Sequence, residues 1–142
     1  MSLNQITIFT DGGCKHNPGP MGIGVVLKHE NRTKLYSENL GHGTNNIAEL
    51  TAILRGLQLL KTRKIPVVIY TDSAYSIGVL TGRYKIKKNK ELIAEIRSLI
   101  SEFVKVSFKK VKGHVGIPGN ELVDELAGRA IRGHVVNETR IE

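Results

Sequence analysis

The sequence predicts a mixed α/β domain built on a five-stranded sheet, in which three antiparallel strands are followed by two parallel strands and helices flank the sheet. The first forty residues carry apolar side chains at alternate positions, which is the period of half-buried strands. The period then changes, because Ile47, Leu50, Leu54 and Leu57 have the spacing of one helix face. The run Val67–Tyr70 is apolar on both faces, as is typical of a central strand covered on each side.

The three antiparallel strands are predicted from short links between alternating segments. In the first strand, Ile6, Ile8 and Thr10 alternate with their neighbours, and the strand stops at Asp11 before two glycines. The stretch Asn17-Pro-Gly-Pro has the composition of a turn. The predicted strands cover 6–11, 22–28 and 33–40.

Helices and two further strands are predicted for the rest of the chain. Asp72 or Ser73 can cap a short helix, and Asn120 can cap the last one. The predicted elements are a helix over 46–61, a strand over 67–70, a short helix ending near 81–82, a helix over 89–103, a strand over 104–108 and a helix over 120–132. Residues 1–132 are expected to form a single domain, and residues 133–142 a flexible tail.

Composition and charge narrow the function classes. The chain has 142 residues, a net charge of +8 and one cysteine, Cys14, which excludes an internal disulfide and favours a reducing compartment such as the cytoplasm. No run is apolar enough to span a bilayer, and the first residues lack the features of a signal peptide, so no membrane association is expected. Lysine and arginine cluster in Lys61–Lys64, Lys85–Lys90 and Lys109–Lys112, which favours an anionic partner such as nucleic acid.

Four acidic residues occupy positions from which they could act together. Asp11 and Asp72 end strands of similar sequence, Glu49 lies in the first turn of its helix, and Asp124 lies one turn inside the last helix. Each also has a purely structural interpretation. Asp11 could accept hydrogen bonds from the turn amides, and Glu49 could complete a capping box. Asp72 could be a helix cap, and the helix dipole could stabilise Asp124 near the N-terminus of its helix.

Convergence of these carboxylates at one end of a sheet would explain all four positions at once. Carboxylate oxygens suit Mg²⁺, and two such ions about 4 Å apart can activate a water and stabilise a leaving oxygen at phosphorus. The glycines do not match a dinucleotide or P-loop motif, and the histidines and Cys14 do not show zinc spacing. His114 is a further candidate, because it lies in the Gly-rich stretch Gly113–Gly119 shortly before Asp124.

With these residues assembled, the chain resembles type 1 ribonuclease H over about residues 6–131. The motifs are TDGGCKHNPGP, TNNIAEL, IYTDSAY and KGHVGIPGNELVDELA, in the order and spacing of that family. The resemblance implies the ribonuclease H fold and two-metal cleavage of the RNA strand of RNA/DNA hybrids, leaving 3′-hydroxyl and 5′-phosphate ends. Asp11, Glu49, Asp72 and Asp124 match its metal-binding carboxylates, with Mg²⁺ expected and Mn²⁺ as a substitute. His114 matches a loop histidine that assists proton transfer or product release.

The resemblance also implies a groove for the two strands of the substrate. The matching positions are Gly12, Cys14, Asn17, Thr44, Asn45 and Asn46. The basic helix and loop that some members insert after the Asp72 region is absent here, so Lys85, Lys87, Lys88 and Lys90 are expected to substitute in part. Tyr84 could offer a ring to a deoxyribose or be a core aromatic residue. Ala74 stands where a polar residue often contacts RNA. A monomer is expected, and a non-catalytic duplex-binding protein or a superfamily nuclease acting on another duplex are the alternatives.

Overall fold

The computed structural model describes residues 4–112 and 118–141, which form a mixed sheet with helices on both faces. The strands are β1 (Ile6–Cys14), β2 (Gly19–His29), β3 (Arg32–Gly43), β4 (Val67–Thr71), β5 (Val106–Lys110) and β6 (Asn137–Ile141). The helices are α1 (Asn45–Gln58), α2 (Ala74–Thr81), α3 (Lys90–Ser101) and α4 (Pro118–Ile131). Within these described ranges, no helix is both long and apolar enough to cross a membrane.

Strand order across the sheet is β5-β4-β1-β2-β3-β6. β1, β2 and β3 pair antiparallel, whereas β1, β4 and β5 pair parallel. The predicted mixed α/β sheet, with three antiparallel strands followed by two parallel ones, is therefore confirmed. β1 lies where the two kinds of pairing meet.

The two faces of the sheet bury different sets of side chains. Ile8 of β1 packs with Leu50 of α1, in a core that also includes residues of α2 and α3. Its neighbour Phe9 points to the other face and packs with Val123 of α4. Since side chains alternate along a strand, Asp11 shares the α4 face with Phe9.

The first strand is longer than the sequence predicted. β1 continues past Asp11 through both glycines, because Gly12, Gly13 and Cys14 pair with β2 as far as Met21. The prediction that the strand ends at the aspartate in a Gly-rich turn is wrong. Asp11 instead lies inside a paired strand, where β2 fixes the position of its backbone.

A sixth strand forms where a tail was expected. Asn137–Ile141 pairs antiparallel with residues 32–36 of β3, and just before it Ser37 and Val136 exchange hydrogen bonds of 2.8 Å. The five-strand count predicted from the sequence is therefore too low by one. β6 is exposed along its whole length, so its sequence lacks the apolar alternation that would have predicted a strand.

The last helix begins before the predicted cap. α4 starts at Pro118, and Asn120 lies inside the helix with only 2% of its surface exposed. The prediction of Asn120 as the N-cap is therefore wrong.

Candidate active site

Two aspartates are brought together by the register of parallel strands. Phe9 of β1 is paired with Tyr70 of β4, so two residues further along Asp11 comes beside Asp72. Asp72 directly follows the last residue of β4, and both side chains lie on the α4 face. The similar sequences at the ends of these strands therefore correspond to neighbouring positions in space.

Asp124 reaches the same place because α4 packs closely on β2. Gly24 is the antiparallel partner of Asp11, and a Cβ on Gly24 would lie 2.6 Å from the carbonyl oxygen of Val123. Only a glycine allows the helix backbone so near the strand. The residue after Val123 is therefore held over Asp11.

The three aspartates form a compact cluster. One carboxylate oxygen from each of Asp11, Asp72 and Asp124 can be chosen so that all lie within 4.8 Å of one another. Such a spacing allows one cation to contact several oxygens at once.

Glu49 joins this cluster from the other side of β1. The backbone N–H of Gly12 donates a 2.8 Å hydrogen bond to Oε1 of Glu49. A Cβ on Gly12 would overlap the backbone of Ala48 and lie 2.7 Å from the nitrogen of Glu49, so the first turns of α1 touch the strand itself. A second glycine contact thus brings the fourth predicted carboxylate to the site.

Burial and mutual repulsion make negative charge costly here. The pKa of Asp11 is raised from 3.8 to about 8, mainly by burial and then by the charges of Asp124 and Asp72. Burial and the charges of Asp11 and Asp72 raise the pKa of Glu49 from 4.5 to about 9. Without a counter-charge, the site therefore retains protons at neutral pH.

Two of the structural interpretations are ruled out by the helix caps. Ser73, not Asp72, is the N-cap of α2, since its hydroxyl accepts from the N–H of Ser76. Thr44 caps α1 by accepting from the N–H of Ile47, which places Glu49 too deep in the helix for a capping box. Neither carboxylate is needed to cap the N-terminus of a helix.

The residues present fit a divalent cation. Every candidate ligand atom is a carboxylate oxygen, the donor type that Mg²⁺ and Mn²⁺ prefer. Oδ1 of Asp72 is buried and, among the described residues, receives no hydrogen bond. A cation would satisfy that oxygen and offset the repulsion that raises the neighbouring pKa values.

Polar residues predicted to line a substrate groove form a network beside the cluster. The amide N–H of Cys14 donates to Oδ1 of Asn45 at 3.0 Å, and the N–H of Asn45 donates to Oδ1 of Asn17 at 3.1 Å. These bonds tie the β1–β2 turn to the start of α1, next to the cap residue Thr44. The structure thus places these four predicted residues together.

The predicted lysines lie across a cavity from the start of α1. A cavity of about 240 Å³ is lined by Asn46, Tyr75, Lys85, Lys87, Lys88 and Asn89. Tyr84 does not line it: its ring packs over Gly78, and 46% of its surface is exposed. The three lysines and Asn46 are therefore brought together, whereas Tyr84 stands apart from them.

Sequence reasoning did not select Tyr75 and Asn89, which line the same cavity. The side-chain amide of Asn89 donates a 3.1 Å hydrogen bond to the Tyr75 hydroxyl and so joins the basic loop to α2. A signal existed, because Asn89 is the first residue of a predicted helix and Tyr75 follows Asp72 by three positions. His114 lies outside the described residues.

Comparison with known proteins decides the family. The model of the family described as RNase H matches residues 3–132. The chain belongs to the RNase H family. This membership confirms the sequence-based prediction of a ribonuclease H enzyme.

Individual relatives of similar length support the assignment. A protein named Ribonuclease H from Desulforamulus reducens is 39% identical, with 92% of this chain and 90% of that protein covered. One from Marinobacter nauticus is 40% identical, covering 90% of this chain and 95% of its own length. Among solved structures, LC11-RNase H1, isolated from compost and crystallised in complex with RNA/DNA hybrid, is 33% identical with a TM-score of 0.76, over 90% and 97% of the two chains.

Proposed function

We propose that this protein cleaves the RNA strand of RNA/DNA hybrids, leaving 3′-hydroxyl and 5′-phosphate ends. The observation that carries the proposal is the convergence of Asp11, Asp72 and Asp124, with Glu49 beside them, in a chain of the RNase H family. The crystallised complex of LC11-RNase H1 with RNA/DNA hybrid supports the choice of substrate.

The four carboxylates would hold two divalent cations, with Mg²⁺ as the natural ion and Mn²⁺ as a substitute. When bound, such a pair supplies activation of the attacking water and stabilisation of the leaving 3′ oxygen. Asp11 and Asp72 lie near both Asp124 and Glu49, so these two side chains would contribute most to holding the ions. The Gly12–Glu49 hydrogen bond fixes the carboxylate of Glu49 in place.

Strand recognition would fall to the groove residues on either side of the carboxylates. The network of Cys14, Asn17 and Asn45 presents amide groups that can read sugars and phosphates without reading base sequence. Lys85, Lys87 and Lys88 would contact phosphates of the DNA strand and take the place of the missing basic insertion. Gly12, Thr44, Asn46 and Tyr84 complete the proposed set.

Three further parts of the proposal concern residues and states beyond the described site. His114 would assist proton transfer or product release, so that His114→Ala should slow turnover without abolishing it. We also propose that the enzyme acts as a monomer, because one chain supplies all four carboxylates. A cytoplasmic location agrees with its single cysteine.

A substrate panel tests this function. Labelled RNA/DNA hybrid, DNA duplex and RNA duplex of one sequence are incubated with the protein in Mg²⁺ or Mn²⁺, and the product ends are mapped. We expect cleavage of the RNA strand of the hybrid alone, and loss of that cleavage in Asp72→Asn. An intact hybrid in both metals would indicate a non-catalytic binding protein, and preferential cleavage of another duplex would indicate a different nuclease.

A further inference from the structure

The outer edge of β6 is an unpaired edge of the sheet. β6 pairs with β3 on one side and, in the part of the chain that the structure describes, with no strand on the other. All of Asn137–Ile141 is exposed, although the pairing with β3 holds it in an extended conformation. Such an edge presents free backbone N–H and C=O groups, which can pair with another extended chain.

The hydrogen bonds to β3 establish which residues of β6 point outward. The C=O of Val136 accepts from the N–H of Ser37 at 2.8 Å, so the backbone of Val136 points toward β3. Because backbone groups alternate in direction along a strand, those of Glu138 and Arg140 also point toward β3. The groups that face the free edge are therefore those of Asn137, Thr139 and Ile141.

The charges of β6 are arranged symmetrically about Thr139. Glu138 precedes it and Arg140 follows it, and these two side chains form a 3.0 Å ion pair on one face of the strand. If a second copy of β6 pairs antiparallel, with Thr139 opposite its counterpart, Glu138 of each copy lies opposite Arg140 of the other. These charged pairs fall between hydrogen-bonded pairs, where the side chains of neighbouring strands come closest.

Hydrogen bonding and charge select the same register. With Thr139 at the centre, its outward-facing groups pair with their counterparts, and those of Asn137 pair with Ile141 of the other copy. All outward-facing backbone groups of β6 are then satisfied, and the whole strand overlaps its counterpart. A register centred on Glu138 or on Arg140 would instead place like charges opposite each other.

The other edge of the sheet lacks this complementarity. β5 carries Lys109 and Lys110 and no acidic residue, so antiparallel pairing of two copies of β5 would bring no opposite charges together. Lysines on an edge strand discourage pairing with another strand. In β6, an exposed ion pair contributes little to the stability of a single chain, so folding alone does not account for the symmetry of its charges.

We propose that β6 binds a second copy of this chain, by antiparallel pairing with the β6 of that copy centred on Thr139. The two sheets then become one continuous sheet about a two-fold axis, and both copies use the same surface. β2 and β3 separate β6 from β1, so the pairing leaves the carboxylates of each copy uncovered. Each copy keeps its own carboxylate site, so the single chain remains the catalytic unit and the dimer joins two such units.

Sedimentation equilibrium of the full chain at low salt tests the proposal. Because the contact is small, we expect reversible dimerisation with a dissociation constant between about 10 μM and 1 mM. Glu138→Arg and Arg140→Glu each place like charges in both cross-strand pairs, and each should weaken dimerisation at least about fivefold. Glu121→Arg, which makes the same charge change at an exposed residue of α4, should alter it less than twofold.

Two combinations of these substitutions sharpen the test. In a mixture of Glu138→Arg and Arg140→Glu, a mixed pair joins opposite charges at both cross-strand contacts. With a donor dye on one variant and an acceptor dye on the other, energy transfer should appear at concentrations where each variant alone is monomeric. The double variant Glu138→Arg/Arg140→Glu exchanges the two charges and restores complementarity, so it should dimerise like the wild type. Circular dichroism checks that every variant is folded.

Several outcomes would overturn the proposal. A wild-type protein that stays monomeric up to about 1 mM has no such contact. A dimer that Glu138→Arg leaves unchanged uses another surface, and one that Glu121→Arg weakens equally responds only to total charge. Absence of energy transfer between the two single variants would likewise show that these residues do not face each other.

Discussion

The two ends of β1 differ in charge and in how they are closed. At the Asp11 end, helices touch the strands through Gly12 and Gly24, and carboxylates are buried against one another. At the Ile6 end, cationic side chains ring a cavity. Both ends are built on the same sheet and the same strand.

The difference shows how a chain of net charge +8 accommodates an acidic site. The negative charges are drawn into a cluster whose protonation or metal binding offsets their repulsion, while the positive charges stay at the surface where solvent screens them. One end of the sheet is therefore suited to a cation, whereas the other carries exposed cationic side chains.

The largest effect is expected from removing one negative charge at the acidic end while its hydrogen bond is kept. In Glu49→Gln, the amide oxygen can still accept from the N–H of Gly12, but the negative charge that we propose as a metal ligand is lost. Hybrid cleavage in Mg²⁺ should fall by more than about 100-fold, the upper range for losing a group that only supports a ligand. Steady-state cleavage rates give the measurement.

A matched control is Glu121→Gln, which neutralises an exposed acid in the first turn of α4. Its cleavage rate should stay within twofold of the wild type. If Glu49→Gln also retained that rate, the hydrogen bond and not the charge would be the function of Glu49.

Alanine substitutions at two adjacent glycines test the close contact between β1 and α1. In Gly12→Ala, the new methyl group would overlap the backbone of Ala48, whereas at Gly13 the nearest atom to a new Cβ is Oδ1 of Asn45 at 4.0 Å. Gly12→Ala should lower the free energy of unfolding by about 1–3 kcal/mol, as overpacking does, and should also slow cleavage by displacing Glu49. Urea unfolding should show little change for Gly13→Ala. Equal stability of the two variants would contradict the contact.

The repulsion at the acidic end predicts how the metal-free protein responds to pH. Because folding raises the pKa of Asp11 from 3.8 to about 8 and that of Glu49 from 4.5 to about 9, the folded state binds these protons more tightly than the unfolded state. Their contribution to stability is complete below about pH 4 and is lost progressively as pH rises toward 9. In EDTA, the melting temperature should therefore decline across this range.

Added Mg²⁺ and the variant Asp11→Asn should both reverse that decline. At pH 8, each should raise the melting temperature by a few degrees, and each should have a smaller effect at pH 5, where the carboxyls are already protonated. A metal-free protein that became more stable between pH 5 and 8 would contradict the raised pKa values of Asp11 and Glu49.

The smallest effect on catalysis is expected from deleting the C-terminal strand β6, which lies at the Ile6 end of the sheet beside the cationic side chains. Deleting residues 133–142 removes β6 and leaves the N–H and hydroxyl of the buried Ser37 without their partners in Val136. The free energy of unfolding should fall by about 1–3 kcal/mol, measured by urea unfolding. Hybrid cleavage at a temperature where the shortened protein is folded should stay near the wild-type rate. A large loss of activity at that temperature would show that β6 influences the carboxylate site at the other end of the sheet.

Local patterns predicted the parts of the fold and site that depend on short stretches of sequence. The similar stretches around Asp11 and Asp72 predicted a shared site because equivalent positions of parallel neighbours meet at one sheet edge. Gly12 is one of the positions predicted to line the substrate groove, but the space beside its Cα is filled by α1. The structure thus gives Gly12 a neighbour in α1 that no local pattern indicates.

Features formed by residues far apart in the sequence could not be predicted from such local patterns. β6 lacks alternation because both of its faces are exposed, so no local signal marks it. The basic cavity joins Ile6, Lys34, Lys61 and Thr139, which are far apart in sequence and meet only through strand register and the end of α1. Such sites follow from topology, and a single sequence does not display them.

Both ends of the described chain lie beside the cavity at the Ile6 end of β1. Ile6 and Thr139 face the same space, and Asn4 contacts His29 on its rim. Residues 4 and 141, the two ends of the described chain, therefore lie at the Ile6 end of β1, away from Asp11. Another domain could be fused at either terminus without covering the carboxylates, and the neighbouring termini make the chain a suitable candidate for circular permutation.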